Sequence, residues 1–448
     1  MALLRKMDRF LVDYFKSSTG ALLVTGARQT GKTYSVRAFG KAHFGSFIEI
    51  NFVERPDAKG IFSGSSSAAD ILLRLSAFVT VPLIKGETLI FFDEVQECPE
   101  AVTAIKFLVE EGSYRYILSG SLLGVSLRDL RSQPVGSMGI KELFPLDFEE
   151  FILNIGLQAG VLGHVRDAFH GRVAVDDTVH RKLMEAFRLY LVTGGMPAAV
   201  ARYLESNNLR EVLLVQQNIL QLYKRDIGQY APERKLNLSA IFELIPAELN
   251  AKNKRFILKN LNEHAKFKTY RDDFLWLTEA GVVLPVYNLE EPTQPLLLAR
   301  SRNLFKLFQN DVGLLCAQYG GGLQFKILSG DTHLNYGAVF ENFVAQELAA
   351  HNVTPYYFNS KRQGEVDFVV SLDGRVLPIE VKSGKDYAVH RALNNILSNP
   401  QYDIPSALVL SHENLREDGK VSYLPIYMTM FLGETTELPE RYHIDLSF

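Results

Sequence analysis

Apolar residues in the first 150 positions occur in short runs, separated by longer segments whose apolar residues have helical spacing. This pattern predicts strands that alternate with helices and form a parallel α/β sheet. The predicted strands span residues 22–25, 47–52, 88–92 and 114–118. Ahead of them, Leu4, Met7 and Leu11 follow the spacing of an amphipathic helix that packs beside the sheet.

After residue 151 the alternation of strands and helices stops. Apolar spacing predicts helices over residues 181–191, 197–205, 209–230, 238–247, 254–262 and 267–280. Residues 282–289 and 294–299 then predict a β-hairpin, and this order of elements suggests a winged helix. A helix over residues 338–350 and strands over residues 365–370 and 376–381 predict a second α/β region. The predicted domains are residues 1–155, 156–232, 233–320 and 321–448.

The first predicted strand leads into a glycine-rich turn and then a helix. Gly26 and Gly31 let backbone N–H groups point towards an anion, and the helix that begins near Lys32 adds the positive end of its dipole. Lys32 is expected to reach the β- and γ-phosphates of a nucleotide, and the Thr33 hydroxyl to coordinate Mg²⁺. The residues predicted to bind the nucleotide are Gly26, Ala27, Arg28, Gln29, Thr30, Gly31, Lys32 and Thr33.

Two carboxylates follow the predicted strand over residues 88–92, at the strand end where ligands of open α/β sheets bind. Asp93 is expected to hold a water of the Mg²⁺ shell. Glu94 is expected to orient or deprotonate the water that attacks the γ-phosphate. ATP is favoured over GTP because the chain has no Asn/Thr-Lys-x-Asp motif for guanine, and the segment that begins Asn253-Lys254 lacks the aspartate.

Serines follow the predicted strand over residues 114–118. ATPases with an additional strand sense hydrolysis of the γ-phosphate from this place in the sheet. Ser119 is the first choice for this sensor and Ser121 the second. Serines of an ordinary strand–helix turn are an equally good interpretation of either position.

Several segments together resemble the AAA-type ATPases of bacteria and archaea that carry an uncharacterised, nuclease-like C-terminal domain of the DUF4143 type. The matching segments are residues 24–33, 89–97, 117–123, 142–151, 193–197 and 301–315. The resemblance implies an Mg²⁺-dependent ATPase that uses ATP. It also implies a multidomain α/β fold: an AAA-type P-loop parallel sheet, a helical and winged-helix middle, and a restriction-endonuclease-like α/β C-terminal domain.

The chain departs from this family at one position that matters for hydrolysis. In relatives, a basic residue usually follows the glycine that lies shortly before the Pro-Leu-Asp-Phe segment, which is residues 145–148 here. In this chain the glycine is Gly136, and Ser137 follows it. The candidates to supply the missing positive charge, in cis or towards a neighbouring subunit, are Arg128, Arg131 and Lys141. The alternative is that each of these three is a solvated loop residue. Because an arginine finger is worth about 10³ or more in rate, slow hydrolysis is expected without one.

The last third of the chain carries a second set of charged residues, namely Glu341, Asp367, Glu380 and Lys382. Residues two apart in a strand share a face, so Glu380 and Lys382 are expected to project together towards Asp367 on the neighbouring strand. This spacing resembles the PD-(D/E)XK nuclease core. The resemblance implies that Asp367 and Glu380 bind Mg²⁺, that Glu341 supports the metal and that Lys382 polarises the attacking water. The alternative is an inactive fold in which these residues simply pair.

The predicted winged helix contains a basic segment with Glu263 as its single acid. Its basic residues are Lys252, Lys254, Arg255, Lys259, Lys266, Lys268 and Arg271. Contact with DNA phosphates is one interpretation, and a solvated face or a subunit contact is the other. Trp276 is expected in the core.

Composition agrees with a cytoplasmic protein of several domains. The chain has 448 residues, 47% of them hydrophobic, and a net charge of −3, which indicates neither a membrane-surface protein nor a nucleic-acid-coating protein. Cys98 and Cys316 lie far apart and fit a reduced compartment, and no stretch predicts a signal peptide or a membrane span.

Two functions remain open. The first is an ATPase coupled to a DNA-handling, nuclease-like domain. The second is a nucleotide-controlled protein-interaction switch with a catalytically inactive nuclease fold. A homo-oligomer or a protein partner is compatible with both.

Overall fold

The computed structural model describes residues 2–64, 67–120, 136–230, 232–251, 253–330, 336–384 and 386–434. Four residues named above, Ser121, Arg128, Arg131 and Lys252, lie outside these ranges. The chain forms two compact units. The first comprises Met1–Leu146, Thr193–Phe242 and Ala265–Val283, and the second Asp147–Val192, Glu243–His264 and Leu284–Phe448. These units do not coincide with the four domains predicted from the sequence.

The strands are, in chain order, β1 Ala21–Thr25, β2 Ser46–Asn51, β3 Thr88–Asp93, β4 Arg115–Ser119, β5 Met138–Glu142, β6 Val283–Leu289, β7 Arg300–Gln309, β8 Tyr356–Ser360, β9 Gly364–Leu372, β10 Arg375–Val381, β11 Ala407–Ser411, β12 Arg416–Asp418 and β13 Val421–Pro425. The first four agree with the predicted strands to within one residue or two at each end.

The α-helices are α1 Lys6–Ser17, α2 Lys32–His43, α3 Ala68–Phe78, α4 Pro99–Glu111, α5 Phe148–Asn154, α6 Ala159–Gly171, α7 Asp177–Thr193, α8 Pro197–Ser206, α9 Leu209–Tyr230, α10 Lys235–Asn250, α11 Phe267–Glu279, α12 Val312–Tyr319, α13 Gly321–Ser329, α14 Gly337–Ala350 and α15 Arg391–Leu397. Short 3₁₀ turns span Pro56–Phe62, Val95–Glu97, Pro232–Arg234, Leu258–Asn260 and Ile426–Phe431. None of the helices in the described ranges is long and apolar enough to cross a membrane.

The first unit contains a five-stranded parallel sheet with the order β2-β3-β4-β1-β5. Strand β4 therefore lies between β1, which precedes the glycine-rich loop, and β3, which ends in Asp93. The side chains of β1 and β3 are buried along their whole length, as continuous apolar runs in a parallel sheet predict. The predicted α/β sheet of the N-terminal region is confirmed.

Helices cover both faces of this sheet. Leu22 and Val24 of β1 share a core with α1 and α2, whereas Leu23 shares a core with α3 and α4. Alternate strand residues point to opposite faces, so a single strand contributes to both cores. Full burial of each such leucine or valine stabilises the fold by about 1.5–3 kcal/mol.

The second unit contains a mixed sheet with the order β12-β13-β11-β10-β9-β8-β6-β7. Strand β9 is antiparallel to β8 and β10, whereas β10 and β11 are parallel. Helix α14 packs against β7 and β10, and its side chains from Gly337 to Leu348 are buried. The predicted helix over residues 338–350 and the predicted strands over residues 365–370 and 376–381 are confirmed as α14, β9 and β10.

Polar side chains of α14 bind the backbone of two segments that the family resemblance singled out. Asn342 Oδ1 accepts a hydrogen bond from Gln309 N at 2.8 Å, and Gln346 Oε1 accepts one from Val312 N at 2.8 Å. Glu347 Oε1 accepts one from Phe148 N at 2.9 Å. Buried backbone donors need such partners. These segments therefore serve the folding of the second unit.

Two predicted elements are wrong. Residues 254–262 do not form a helix, because Lys254 adopts a left-handed φ of 47° and Ile257 N donates to the Glu248 carboxylate at 2.9 Å instead of to a helical carbonyl. Residues 294–299 do not form a strand, because turn hydrogen bonds occupy them and β7 begins at Arg300. The first strand of the predicted wing, β6, is part of the large sheet, where it pairs in parallel with β8.

Candidate nucleotide site and acidic cluster

The glycine-rich loop between β1 and α2 has three residues with positive φ. These are Gly26 at 131°, Gln29 at 68° and Gly31 at 93°. A Cβ atom on Gly26 would lie 2.2 Å from the backbone oxygen of Leu143, so the neighbouring chain leaves room only for glycine there. Such a loop before a helix N-terminus forms a concave nest of backbone N–H groups that suits phosphate.

Lys32 begins α2 and lies against this loop. Its Nζ donates to Gly26 O at 2.9 Å and to Ala27 O at 2.8 Å. Burial lowers the pKa of Lys32 to about 8, although the nearby carboxylates of Glu94 and Asp93 act in the opposite direction. The ammonium group is therefore held at the loop, and nearby carboxylates favour its charged form.

Asp93 connects three elements at the carboxyl ends of the strands. Its Oδ2 accepts hydrogen bonds from Thr33 Oγ1 at 3.0 Å and from Asn51 Nδ2 at 3.0 Å, and its Oδ1 accepts one from the Ser119 hydroxyl. Asn51 was missed in the sequence, although it ends the strand adjacent to β3, where ligand-binding residues are expected. The fold thus brings Thr33, Asp93 and Ser119 together.

Glu94 follows Asp93 with a left-handed backbone, at φ 55° and ψ 47°. This conformation is uncommon for a residue with a side chain and costs on the order of 1–3 kcal/mol, so it points to a functional position. The Gln96 amide donates to a carboxylate oxygen of Glu94 and fixes its orientation. Half-buried Glu94 lines the cavity beside the loop.

The cavity beside the loop has a volume of about 670 Å³, which is within the range of small-molecule sites. The cavity is lined by the loop, Asn51 and Glu94, together with Leu3 and Arg5 near the N-terminus and three residues of α8, Pro197, Ala198 and Ala201. All of these residues belong to the first unit.

Two arginines connect the loop to other parts of the first unit. Arg5 donates to Thr30 O at 3.0 Å and to Phe144 O at 2.8 Å. Arg28 donates to Asp226 Oδ1 of α9 at 2.7 Å. Neither pairing was foreseen, because each joins positions remote in sequence.

Lys141, the described candidate for the missing positive charge, does not lie at the cavity. It belongs to β5, and its Nζ is 5.1 Å from the centre of the Phe10 ring, a cation–π distance. It is not among the described residues that line the cavity.

The second unit brings together the charged residues predicted near the end of the chain. Strands β9 and β10 pair with Ile379 opposite Phe368, which places Glu380 beside Asp367. Asp367 Oδ2 accepts a hydrogen bond from Val381 N at 2.9 Å, and Lys382 Nζ donates to Glu380 Oε1 at 2.7 Å.

A residue that the sequence did not reveal lies between them. Lys306 of β7 is fully buried, and its Nζ is 2.8 Å from Glu365 Oε1, 3.3 Å from Glu341 Oε2 and 3.9 Å from Asp367 Oδ1. We call Glu341, Glu365, Asp367 and Glu380 the acidic cluster. The signal for Lys306 was a single charge within the apolar run of residues 304–308, which predicts a buried ion pair.

The pKa values in the acidic cluster reflect burial and mutual interaction. Burial raises the pKa of Glu380 to about 8, with repulsion from Asp367 as the next cause. Burial also raises the pKa of Glu341. Burial alone would lower the pKa of Lys306, but the carboxylates of Glu341, Asp367 and Glu365 outweigh it and raise that pKa. Lys306 is therefore charged at neutral pH.

Three protein families match separate parts of the chain. Residues 18–152 match a family described as AAA domain. Residues 184–324 match a domain of unknown function, DUF8612, and residues 336–428 match a second one, DUF4143. A comparison with curated proteins finds no match.

Solved structures of low sequence identity are similar to this chain. A Walker-type ATPase of Pyrococcus abyssi is 13% identical, covering 71% of this chain and 96% of that chain at a TM-score of 0.43. The Aeropyrum pernix ORC1 protein in complex with DNA is 13% identical, with 73% and 95% coverage and a TM-score of 0.30. The Thermotoga maritima RuvB Holliday junction branch migration motor is 14% identical, with 63% and 89% coverage and a TM-score of 0.28.

The family match and the sheet agree on the first unit. The matched residues 18–152 contain the phosphate loop, β3 with Asp93, and the inserted strand β4. The chain therefore contains an AAA-type P-loop domain over these residues.

Proposed function

We propose that the protein binds ATP with Mg²⁺ at the phosphate loop and hydrolyses it. The observation that carries this proposal is the convergence of Thr33, Asn51 and Ser119 on Asp93, with Glu94 next to it on the cavity wall. Polar groups converging at the carboxyl ends of parallel strands, beside a phosphate loop, are typical of nucleoside-triphosphate hydrolysis.

Each polar group then has a distinct role. Thr33 and Asp93 are oxygen donors of the kind Mg²⁺ prefers, and the ion neutralises charge on the phosphates when bound. Lys32 pairs with the phosphate oxygens. Glu94 orients the attacking water or accepts its proton, and Ser119 connects the γ-phosphate region to Asp93.

The apolar part of the cavity wall suits the nucleoside. Leu3, Pro197, Ala198 and Ala201 contribute apolar surface, which is suited to a flat base. Helix α8 begins at Pro197, the last residue of the Gly-Gly-Met-Pro segment over residues 194–197, so that segment positions part of the wall of the nucleotide cavity.

Replacing Lys32 by alanine tests the proposal. The loss of a charge-assisted hydrogen-bond donor costs about 1.5–3 kcal/mol, so we expect ATP affinity to fall by roughly 10- to 100-fold and turnover at limiting ATP to fall with it. Lys41→Ala removes an exposed lysine from the same helix and is the matched control. Binding of a fluorescent ATP analogue and phosphate release measure both quantities. Unchanged values for Lys32→Ala would contradict the proposal.

For the coupled activity, the exposed basic residues favour a DNA-handling role over the alternative of a protein-interaction switch. Lys268 and Arg271 lie three residues apart on α11, so they share a face, and both are exposed. Lys254 is not available to bind phosphates in this way, because it pairs with Glu341.

We expect the double variant Lys268→Ala/Arg271→Ala to weaken DNA binding. The slope of log affinity against log salt should also fall, by about 1 for every DNA phosphate that the variant no longer neutralises. Lys41→Ala/Lys85→Ala removes the same charge from exposed sites elsewhere on the first unit and should leave the slope unchanged. Fluorescence anisotropy with a labelled duplex measures both. No binding by the unaltered protein at low salt would favour the protein-interaction switch instead.

A further inference from the structure

We propose that the ammonium group of Lys306 is the built-in cation of the acidic cluster, occupying the position that a divalent metal ion would need. The cluster then binds no metal ion in the folded chain. This inference is independent of the ATP hydrolysis proposed above, since it concerns the second unit alone.

The geometry around Lys306 supports this inference. An ammonium group has three N–H donors, and three carboxylates of the cluster, those of Glu341, Glu365 and Asp367, lie 2.8–3.9 Å from Nζ. The ring of Tyr357 lies on a further side, with its centre 5.1 Å from Nζ. The side chain of Lys306 has no exposed surface, so it has no path into solvent within the folded unit.

The carboxylates that a metal ion would require are already engaged. Lys254 Nζ binds Oε1 of Glu341 while Lys306 binds Oε2, so both oxygens of that carboxylate carry an ion pair. Asp367 Oδ2 accepts the Val381 N–H, and Glu380 Oε1 accepts from Lys382.

Glu380 Oε2 is a buried oxygen without a hydrogen-bond partner. One such oxygen falls short of the several that Mg²⁺ or Ca²⁺ takes. Within the described ranges, no three His, Cys, Asp or Glu side chains are arranged to hold a metal ion.

Charge explains why the ammonium and a metal ion exclude each other. A divalent ion bound by Glu341 and Asp367 would lie within a few ångströms of the Lys306 ammonium, and like charges at that distance in a buried site repel strongly. Removing the ammonium without replacement would leave buried carboxylates unpaired, which is strongly unfavourable. The lysine therefore performs the neutralising role of a metal ion by a covalently attached charge.

A built-in ammonium group decides between the two interpretations of this cluster. The PD-(D/E)XK resemblance implies a metal that activates water, whereas an ammonium group at that position has no open site for water or phosphate. The second unit then serves as a binding module, and its charged residues stabilise the fold instead of cleaving a phosphodiester.

Counting bound Mn²⁺ by electron paramagnetic resonance, on the full chain without nucleotide, tests the inference. Unaltered protein and Asp367→Asn are expected to bind the same number of ions. Lys306→Met, which keeps an unbranched side chain one atom shorter and removes the charge, is expected to gain one ion, and Lys306→Met/Asp367→Asn to lose it again. Loss of an ion on Asp367→Asn alone, or a folded Lys306→Met without a gain, would overturn the inference.

Lys382→Met is the matched control, since it removes a lysine that pairs with Glu380 of the acidic cluster and leaves Lys306 in place. It is expected to gain no ion, and a gain there would contradict the special position of Lys306. If Lys306→Met does not fold, the comparison of the unaltered protein with Asp367→Asn still decides the matter. Equal Mn²⁺ binding supports the inference and unequal binding refutes it.

Discussion

Replacing Glu94 by glutamine is expected to lower ATP turnover by about 10²- to 10⁴-fold while ATP binding is retained. Glutamine has nearly the same size as glutamate but cannot accept a proton from the attacking water. Thr33, Asp93 and Lys32, to which we assign the ion and the phosphates, are unchanged in this variant. A loss confined to the chemical step is therefore the expected outcome.

The structure gives this prediction a close control. Glu97 ends the 3₁₀ turn that begins directly after Glu94. Its Oε2 lies 3.4 Å from Lys59 Nζ, and Glu97 does not line the cavity. Glu97→Gln is therefore expected to keep turnover within about twofold, since isolated surface ion pairs contribute little. Single-turnover hydrolysis separates binding from chemistry for both variants. Full turnover by Glu94→Gln would assign the catalytic base to another residue.

Glu94 also has the local support that a catalytic group requires. Its left-handed backbone is a cost that the neighbouring structure must offset, and Gln96 holds its carboxylate by a hydrogen bond. Substituting Gln96 would leave the carboxylate in place but free to rotate. We therefore expect Gln96 to act as a positioning residue for Glu94.

Gly195→Ala is expected to destabilise the first unit by about 3 kcal/mol, at the upper end of the usual cost of overpacking. A Cβ atom on Gly195 would lie 1.9 Å from the carbonyl oxygen of Leu146. The added Cβ would clash with backbone atoms, which a side-chain rotation cannot relieve. Because Leu146 N donates to Gly195 O at 2.7 Å, the two backbone segments cannot move apart without losing that hydrogen bond.

The effect can be followed selectively, because the sequence has one tryptophan and it lies half-buried in α11 of the first unit. Fluorescence of Trp276 during urea unfolding therefore reports this unit. Gly60→Ala, in the 3₁₀ turn Pro56–Phe62, is the control, because no atom lies within 4 Å of the added Cβ. Its free energy of unfolding should change by no more than about 1 kcal/mol. Equal stability of the two variants would show that the close approach at Gly195 can relax.

Regular elements were the most predictable feature of the fold. The four N-terminal strands were predicted from short apolar runs, and α9 from a long amphipathic pattern, because burial of one face follows directly from spacing. The failures lie where a side chain or a turn overrides local preference. Backbone turn hydrogen bonds occupy residues 294–299, where a strand was predicted. Glu248 binds the Ile257 N–H where a helix was predicted.

The two sites differ in how far their arrangement follows from local sequence. The phosphate loop is a contiguous segment, so its backbone nest follows from Gly26, Gly31 and the helix that begins at Lys32. The acidic cluster is assembled from α14, β7, β9 and β10. Its central residue, Lys306, lies 35 positions from Glu341 in the sequence.

The sequence by itself therefore determined the phosphate loop, Asp93 with Glu94, and the strands that carry Asp367 and Glu380, because each depends on neighbouring residues and on burial patterns. Only the tertiary structure decided which charges meet. Strand order placed Ser119 and Asn51 beside Asp93. The Lys306 ammonium lies among the carboxylates of the acidic cluster although β6 and β8 stand between β7 and β9 in the sheet order. The physical reason is that electrostatic partners are selected by distance in space, which the tertiary fold sets and spacing along the chain does not.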